Sequence, residues 1–297
     1  MKKPSVLNST HIRELLLVLV VAGVAVFLYV SLQGESAPRP VYHMSQWNEY
    51  AREVDRAREI VKIAPITLSQ VYGGIVPHHI PTTIPRLVEF YTSLKKHQDV
   101  EKIIVIGPDH TDAGSSPVSV SGAIYYTDFG DMKPIKGLAK DLEDRKVAVI
   151  DEAPFPPEHS VGSQILLISR IFPGARVTPI IIRSDVTEGQ AEALGKALAS
   201  YLDDETILIA SVDFSHYLTT DQAEPIDKLS GQVLENLDRD ALKMIRADSN
   251  GSLVAFVEAM LEKKARETAL VRVTNTNDYM QNSDFTTGYV TGYWGMK

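Results

Sequence analysis

From residue 71 onward, short unbroken apolar runs alternate with longer stretches in which apolar positions recur every three or four residues. The runs are "VYGGIV" (71–76), "KIIVI" (102–106), "VTPIIIR" (177–183) and "TILIASV" (206–212). A run that is apolar at consecutive positions, with no polar alternation, predicts a strand covered on both faces. Between the runs, "IPRLVEFYTSLKKH" (84–97), "SVGSQILLISRIF" (160–172) and "TEGQAEALGKALASYL" (187–202) predict amphipathic helices. Ser160 reads as the cap of the second, and Thr187 with Gln190 as the capping box of the third. "SQWNEYAREVDRAREIVKI" (45–63) reads as a surface helix, 221–264 as mostly helical with a break at "ADSNGS", and "TALVRVT" and "TGYVTGYW" as two closing strands. Strands alternating with helices predict an α/β fold, a mainly parallel or mixed sheet flanked by helices.

The N-terminal pattern is different. Residues 15–32, "LLLVLVVAGVAVFLYVSL", are uncharged and almost wholly apolar. At about 1.5 Å per residue such a helix just spans a hydrocarbon layer of roughly 30 Å. Lys2, Lys3 and Arg13 precede it, and Glu35 and Arg39 follow. The positive-inside rule then predicts a single-pass membrane protein. Its cytoplasmic N-terminus would be 1–14, its signal anchor 15–32 and its linker 33–40, with an extracytoplasmic domain over 41–297. A cleaved signal peptide is the competing reading, disfavoured by the length of the run and by "GESAPRP", which lacks a small residue three before a cut at Ala37.

Composition narrows the chemistry. The 297 residues are 44% hydrophobic and 23% charged, with a net charge of -8, so a nucleic-acid partner is not expected. Cysteine is absent, which excludes disulfides, thiolate ligands and cysteine nucleophiles. There is no Gly-rich phosphate loop, no G-x-S-x-G elbow and no H-E-x-x-H.

Histidine is where the pattern becomes specific. The first strand exits into His78 and His79, the second into Asp109 and His110, the fourth into Asp213 and His216. Glu158 and His159 stand just before a helix. In an open parallel sheet ligands bind outside the carboxyl ends of the strands, so these endings can converge. A mononuclear site of imidazole and carboxylate would suit Fe(II), Zn(II), Mn(II) or Cu(II), with neighbouring Asp and Glu orienting the rings. Each ending also has a bland reading. His78 and His79 can be solvated turn residues, Asp109 a turn cap, Asp213 and His216 a structural pair, and Glu158 and Ser160 helix-start chemistry.

"GGIVPHH", "IIVIGPDHTD", "EHSVGSQI", "IIIRS" and "ASVDFSHYL" stand in the order and spacing of the Memo family, which the chain resembles from Val71 to its C-terminus. Prokaryotic members are called AmmeMemoRadiSam system protein B, and "FTTGYVTGYW" is similar to the family's closing strand. The family in turn resembles the class III extradiol ring-cleavage dioxygenases, a non-haem iron fold. The resemblance implies His78 and His110 as metal ligands, His216 as acid/base beside the metal with Asp213 near it, and His159 in the same pocket. His79, Asp109, Glu158 and Asp248 would line or support that pocket. Two positions depart from the family. Its third ligand is commonly the cysteine of a "CG" pair, matched here by Asn250-Gly251, with Asp248 able to substitute. Its opening motif is not visible in "PVYHMSQWNEY".

The expectation is a divalent metal ion, Fe(II) foremost with Zn or Cu as substitutes, and a small-molecule or peptide ligand. Chemistry would be dioxygenase-like, a metal-dependent oxidation. The alternative is a non-catalytic metal- or ligand-binding module on an enzyme-like fold.

Overall fold

The four apolar runs lie side by side as the parallel centre of one sheet. The computed structural model describes residues 39–44, 48–280 and 284–297. In chain order the elements are β1 (Val41–His43), α1 (Ala51–Ile60), β2 (Gln70–Val76), α2 (Ile84–His97), β3 (Lys102–Pro108), β4 (Val118–Val120), β5 (Ile124–Thr127), β6 (Gly130–Met132), α3 (Leu138–Asp144) and β7 (Val149–Ile150). There follow α4 (His159–Ile171), β8 (Arg176–Ile182), α5 (Glu188–Ala199), β9 (Thr206–Ser211), β10 (His216–Leu218), α6 (Thr220–Glu235), α7 (Asn250–Lys263), β11 (Glu267–Asn275), α8 (Asn277–Met280) and β12 (Thr286–Met296). Pro40–Lys297 forms one compact unit.

The large sheet runs β10-β12-β2-β9-β3-β8-β4-β7, with β11 on β12. β2, β9, β3 and β8 are mutually parallel, while β12 and β4 run antiparallel to their neighbours β2 and β8. β1, β5 and β6 form a separate small sheet.

The period of two along each strand divides the core into two layers. Ile104, Ile106, Ile180, Leu208 and Ala210 face α5 and α7 and meet Leu194, Leu198, Phe256 and Met260. Ile103, Val105, Val177, Ile207 and Ile209 face α2 and α4 and meet Leu87, Tyr91, Ile165 and Ile168. These side chains are buried, and each Val, Leu, Ile, Phe or Met among them contributes roughly 1.5–3 kcal/mol of apolar transfer. Gly73 and Gly74 of β2 allow close approach from both faces. A Cβ on Gly73 would stand 2.8 Å from Phe256 and Met260, and one on Gly74 2.4 Å from Phe90.

Two expectations are corrected. α4 and its cap lie two residues earlier than expected, the helix starting at His159. Its cap is Glu158, whose carboxylate accepts from Ser160 N, rather than Ser160 itself. The single-pass membrane location is the second. Among the described residues no helix is long and apolar enough to cross a membrane. The apolar run 15–32 lies outside the described residues, and the membrane placement is withdrawn. β1, β4 to β7, β10, α3 and α8 were not foreseen, being too short to show a period.

Candidate metal centre

β2, β9 and β3 are adjacent and parallel, so their carboxyl ends open at one edge of the sheet. Pro77 follows the last residue of β2 and hands over His78, which is buried. Its backbone N–H donates to Asp213 Oδ1 at 3.0 Å. Its ring Nε2 lies 3.1 Å from Asp248 Oδ2 and 3.7 Å from Asp213 Oδ2. On the other side, Nδ1 is 3.4 Å from Ser211 Oγ, whose own proton goes to Ser160 O at 2.6 Å. Ser211 can therefore only accept from His78, which fixes the proton on Nδ1 and directs Nε2 at the carboxylates. Burial pulls the His78 ring down, but the Asp213 and Asp248 carboxylates outweigh it and raise it to about 9.

The exit of β3 places His110 opposite. Glu158 binds it twice, accepting from His110 N at 2.9 Å and bonding Nδ1 at 2.8 Å. The same carboxylate caps α4 through Ser160 N at 2.7 Å. Burial raises the Glu158 carboxyl, yet the bonds from His110 and Ser160 overcome it and hold it at about 2. An ionised acceptor at Nδ1 places the His110 proton there and leaves Nε2 bare. His159, first residue of α4, stacks on His110 with centroids 4.1 Å apart. Burial, then the neighbouring His78 and His110, lower its ring to about 4.

The ligand atoms of His78, His110 and His159 lie within 4.8 Å of one another, as do those of His78, Asp213 and Asp248. Asp248 Oδ2 is also 3.9 Å from His110 Nε2. Asp248 Oδ1 is buried with no hydrogen-bond partner, although buried carboxylate oxygens are ordinarily satisfied. Once His78 gives up its Nε2 proton, two imidazole nitrogens and the Asp248 carboxylate near both of them fit a divalent cation of the first transition row.

The remaining predicted residues take other positions. Asp213 is buried, its carboxyl pushed up by burial against the pull of His78, and it ties the β9 exit to the β2 exit. Asp109 faces its own loop, accepting from Gly114 N at 2.7 Å and Thr111 N at 3.3 Å. His79 bonds Tyr289 Oη through Nδ1 at 2.6 Å, and burial lowers its ring. His216, on β10, bonds Phe214 O through Nδ1 at 2.6 Å and belongs to neither cluster. Asn250 opens α7 and lines the same cavity as Asp248 and His110, outside both clusters. The cavity holds about 610 Å³. Sequence reasoning missed Ser211 and Tyr289 as partners of His78 and His79. Each sits within an apolar strand pattern, which carries no signal of a histidine partner.

Residues 45–293 match the family model described as Memo-like protein. A MEMO1 family protein of Methanococcoides burtonii (strain DSM 6242 / NBRC 107633 / OCM 468 / ACE-M) is 29% identical over 74% of this chain and 87% of its own length. One from Caldivirga maquilingensis is 26% identical over 65% of this chain and 64% of its own length. A solved structure of an uncharacterized protein, JW3007 from Escherichia coli K12, covers 75% of this chain and 99% of its own at 13% identity and a TM-score of 0.43, too remote to carry any residue across.

Proposed function

Because the chain belongs to the Memo family, we propose that it is a divalent-metal protein whose ion is held by His78, His110 and Asp248, with Fe(II) as the working ion and Zn or Cu as substitutes. The observation that carries this reading is Asp248, whose Oδ2 lies 3.1 Å from His78 Nε2 and 3.9 Å from His110 Nε2 while its buried Oδ1 has no hydrogen-bond partner. Two histidines and one carboxylate are the donor set of non-haem Fe(II) oxygenases. This supports dioxygenase-like oxidation of a small catechol-like molecule in the adjoining cavity.

The ion, when bound, supplies Lewis acidity and a template for the substrate. The protein does the rest with its own groups. Ser211 and Glu158 hold the two ligand rings in the tautomer that presents Nε2. His159 has a ring held neutral at pH 7 and can take a proton from a substrate hydroxyl. His216 commits Nδ1 to Phe214 O, so Nε2 is its proton-accepting atom.

The test is anaerobic titration of the purified protein with Fe(II), Zn(II) and Cu(II), beside a His78→Ala, His110→Ala double variant, followed by oxygen uptake with catechol. Stoichiometric binding lost in the double variant supports the site, and unchanged metal content overturns it. Binding without oxygen uptake overturns the oxidation and leaves a metal-binding module.

A further inference from the structure

A second cavity, of about 410 Å³, shares no lining residue with the one at the metal centre. Its walls come from the extended segment 61–64, the start of α2, Arg272 of β11 and Tyr279 of α8. Arg86 Nη1 donates to Glu89 Oε2 at 2.7 Å, and Arg272 Nη1 donates to Glu89 Oε1 at 2.9 Å and Oε2 at 3.1 Å. One carboxylate thus holds two guanidinium forks side by side on one wall.

A guanidinium carries five N–H donors, and among the described residues each uses a single nitrogen. Arg86 Nε is buried with no partner. Among the described residues, Lys62, exposed and lining the same cavity, makes no ion pair. Two guanidinium charges against one carboxylate leave the trio cationic, and Lys62 adds to it. The chain as a whole has a net charge of -8, so this groove runs against the rest of the molecule.

We propose that the groove binds a phosphate monoester. Paired forks with free edges match the oxygens of a tetrahedral dianion, which Arg engages with two parallel N–H···O bonds. A single carboxylate would leave one of the surplus charges unmatched. The cavity is larger than a bare phosphate, and Val61, Ile63, Ala64 and Pro85 give it an apolar wall for an organic group. Tyr279, whose hydroxyl has only a long 3.4 Å contact with Thr274 Oγ1, offers a further donor at the rim.

The test is calorimetric titration with inorganic phosphate and with phenyl phosphate, in the intact protein and in His110→Ala so that binding at the metal centre is not counted. Both ligands should bind in both proteins. Tighter binding of phenyl phosphate assigns the groove to a monoester, whereas equal binding assigns it to the free ion and overturns the ester. Arg272→Gln should weaken binding about tenfold or more, the worth of a charge-assisted bond. Should Arg272→Gln fail to fold, Lys62→Gln on the exposed wall should still weaken binding severalfold. Glu89→Gln, which removes the competing carboxylate, should tighten it, the opposite sign from a structural lesion. No binding of either ligand, or affinity indifferent to Lys62 and Glu89, overturns the site.

Discussion

The middles of β2, β3 and β9 and the residues just beyond their carboxyl ends are equally buried and chemically opposite. Ile75, Ile104, Val105, Leu208 and Ile209 are wholly enclosed and aliphatic. His78, Asp109 and Asp213, immediately after these strands, are 2–3% exposed and titratable. Burying a charged group is costly unless it is paired. The aliphatic layers stabilise the domain, whereas the polar ends draw on that stability to hold charges where water does not reach them. The two carboxylates Asp109 and Asp248 repeat the contrast on a smaller scale. Asp109 is satisfied by its own loop, and Asp248 keeps one oxygen without a donor.

The sharpest way to break this division is to cut each region separately. His110→Ala should lower divalent-metal affinity by more than the roughly 10–100-fold that loss of a supporting partner costs, with little change in melting temperature. Ile104→Ala should lower unfolding free energy by about 2–5 kcal/mol in urea denaturation and leave the metal affinity of the folded protein unchanged. Metal binding equally damaged by both would show that the two regions are not energetically separate.

The carboxylates offer the next test. Asp248→Asn should weaken metal binding about 10-fold or more by removing the charge at the centre. Asp109→Asn should do the reverse, costing about 1–3 kcal/mol of stability through its loop while metal affinity holds. Interchanged outcomes would reverse the roles given to the two residues.

Acidity sharpens the comparison in a further way. His78 is raised from 6.5 to about 9, so in the metal-free protein its charged form adds stability that is complete below pH 6.5 and lost as the pH rises through 9. Metal requires the neutral ring and must displace that proton. Affinity should therefore rise about tenfold per pH unit between pH 7 and 9, with one proton released per ion, measured by titration in buffers of different ionisation enthalpy. A flat profile would mean that His78 is not a ligand. The smallest effect belongs to Asn250→Ala, which should change metal affinity by less than about twofold because its neutral amide is a weak ligand.

Much of this was legible in the chain. Unbroken aliphatic runs can be satisfied only by cover on both faces, so "KIIVI" and "TILIASV" by themselves declare a buried parallel sheet. The helix over 84–97 matches α2 residue for residue, and the capping box of Thr187 and Gln190 is present at α5. That His78, His110 and Asp213 share one edge also follows from reading strand exits. The chain offered both Asn250 and Asp248 for the third position, and tertiary structure decided that Asp248 joins the cluster. Asp248 lies in an unpatterned loop and reaches the centre because its Oδ2 accepts from Asp213 N across the sheet edge. Glu158 serves both as the cap of α4 and as the anchor of His110, a pairing set by the packing of α4 against β3. Periodicity reports which face a side chain occupies within its own element. It is silent on which distant loop will meet it, because that depends on how the whole core closes.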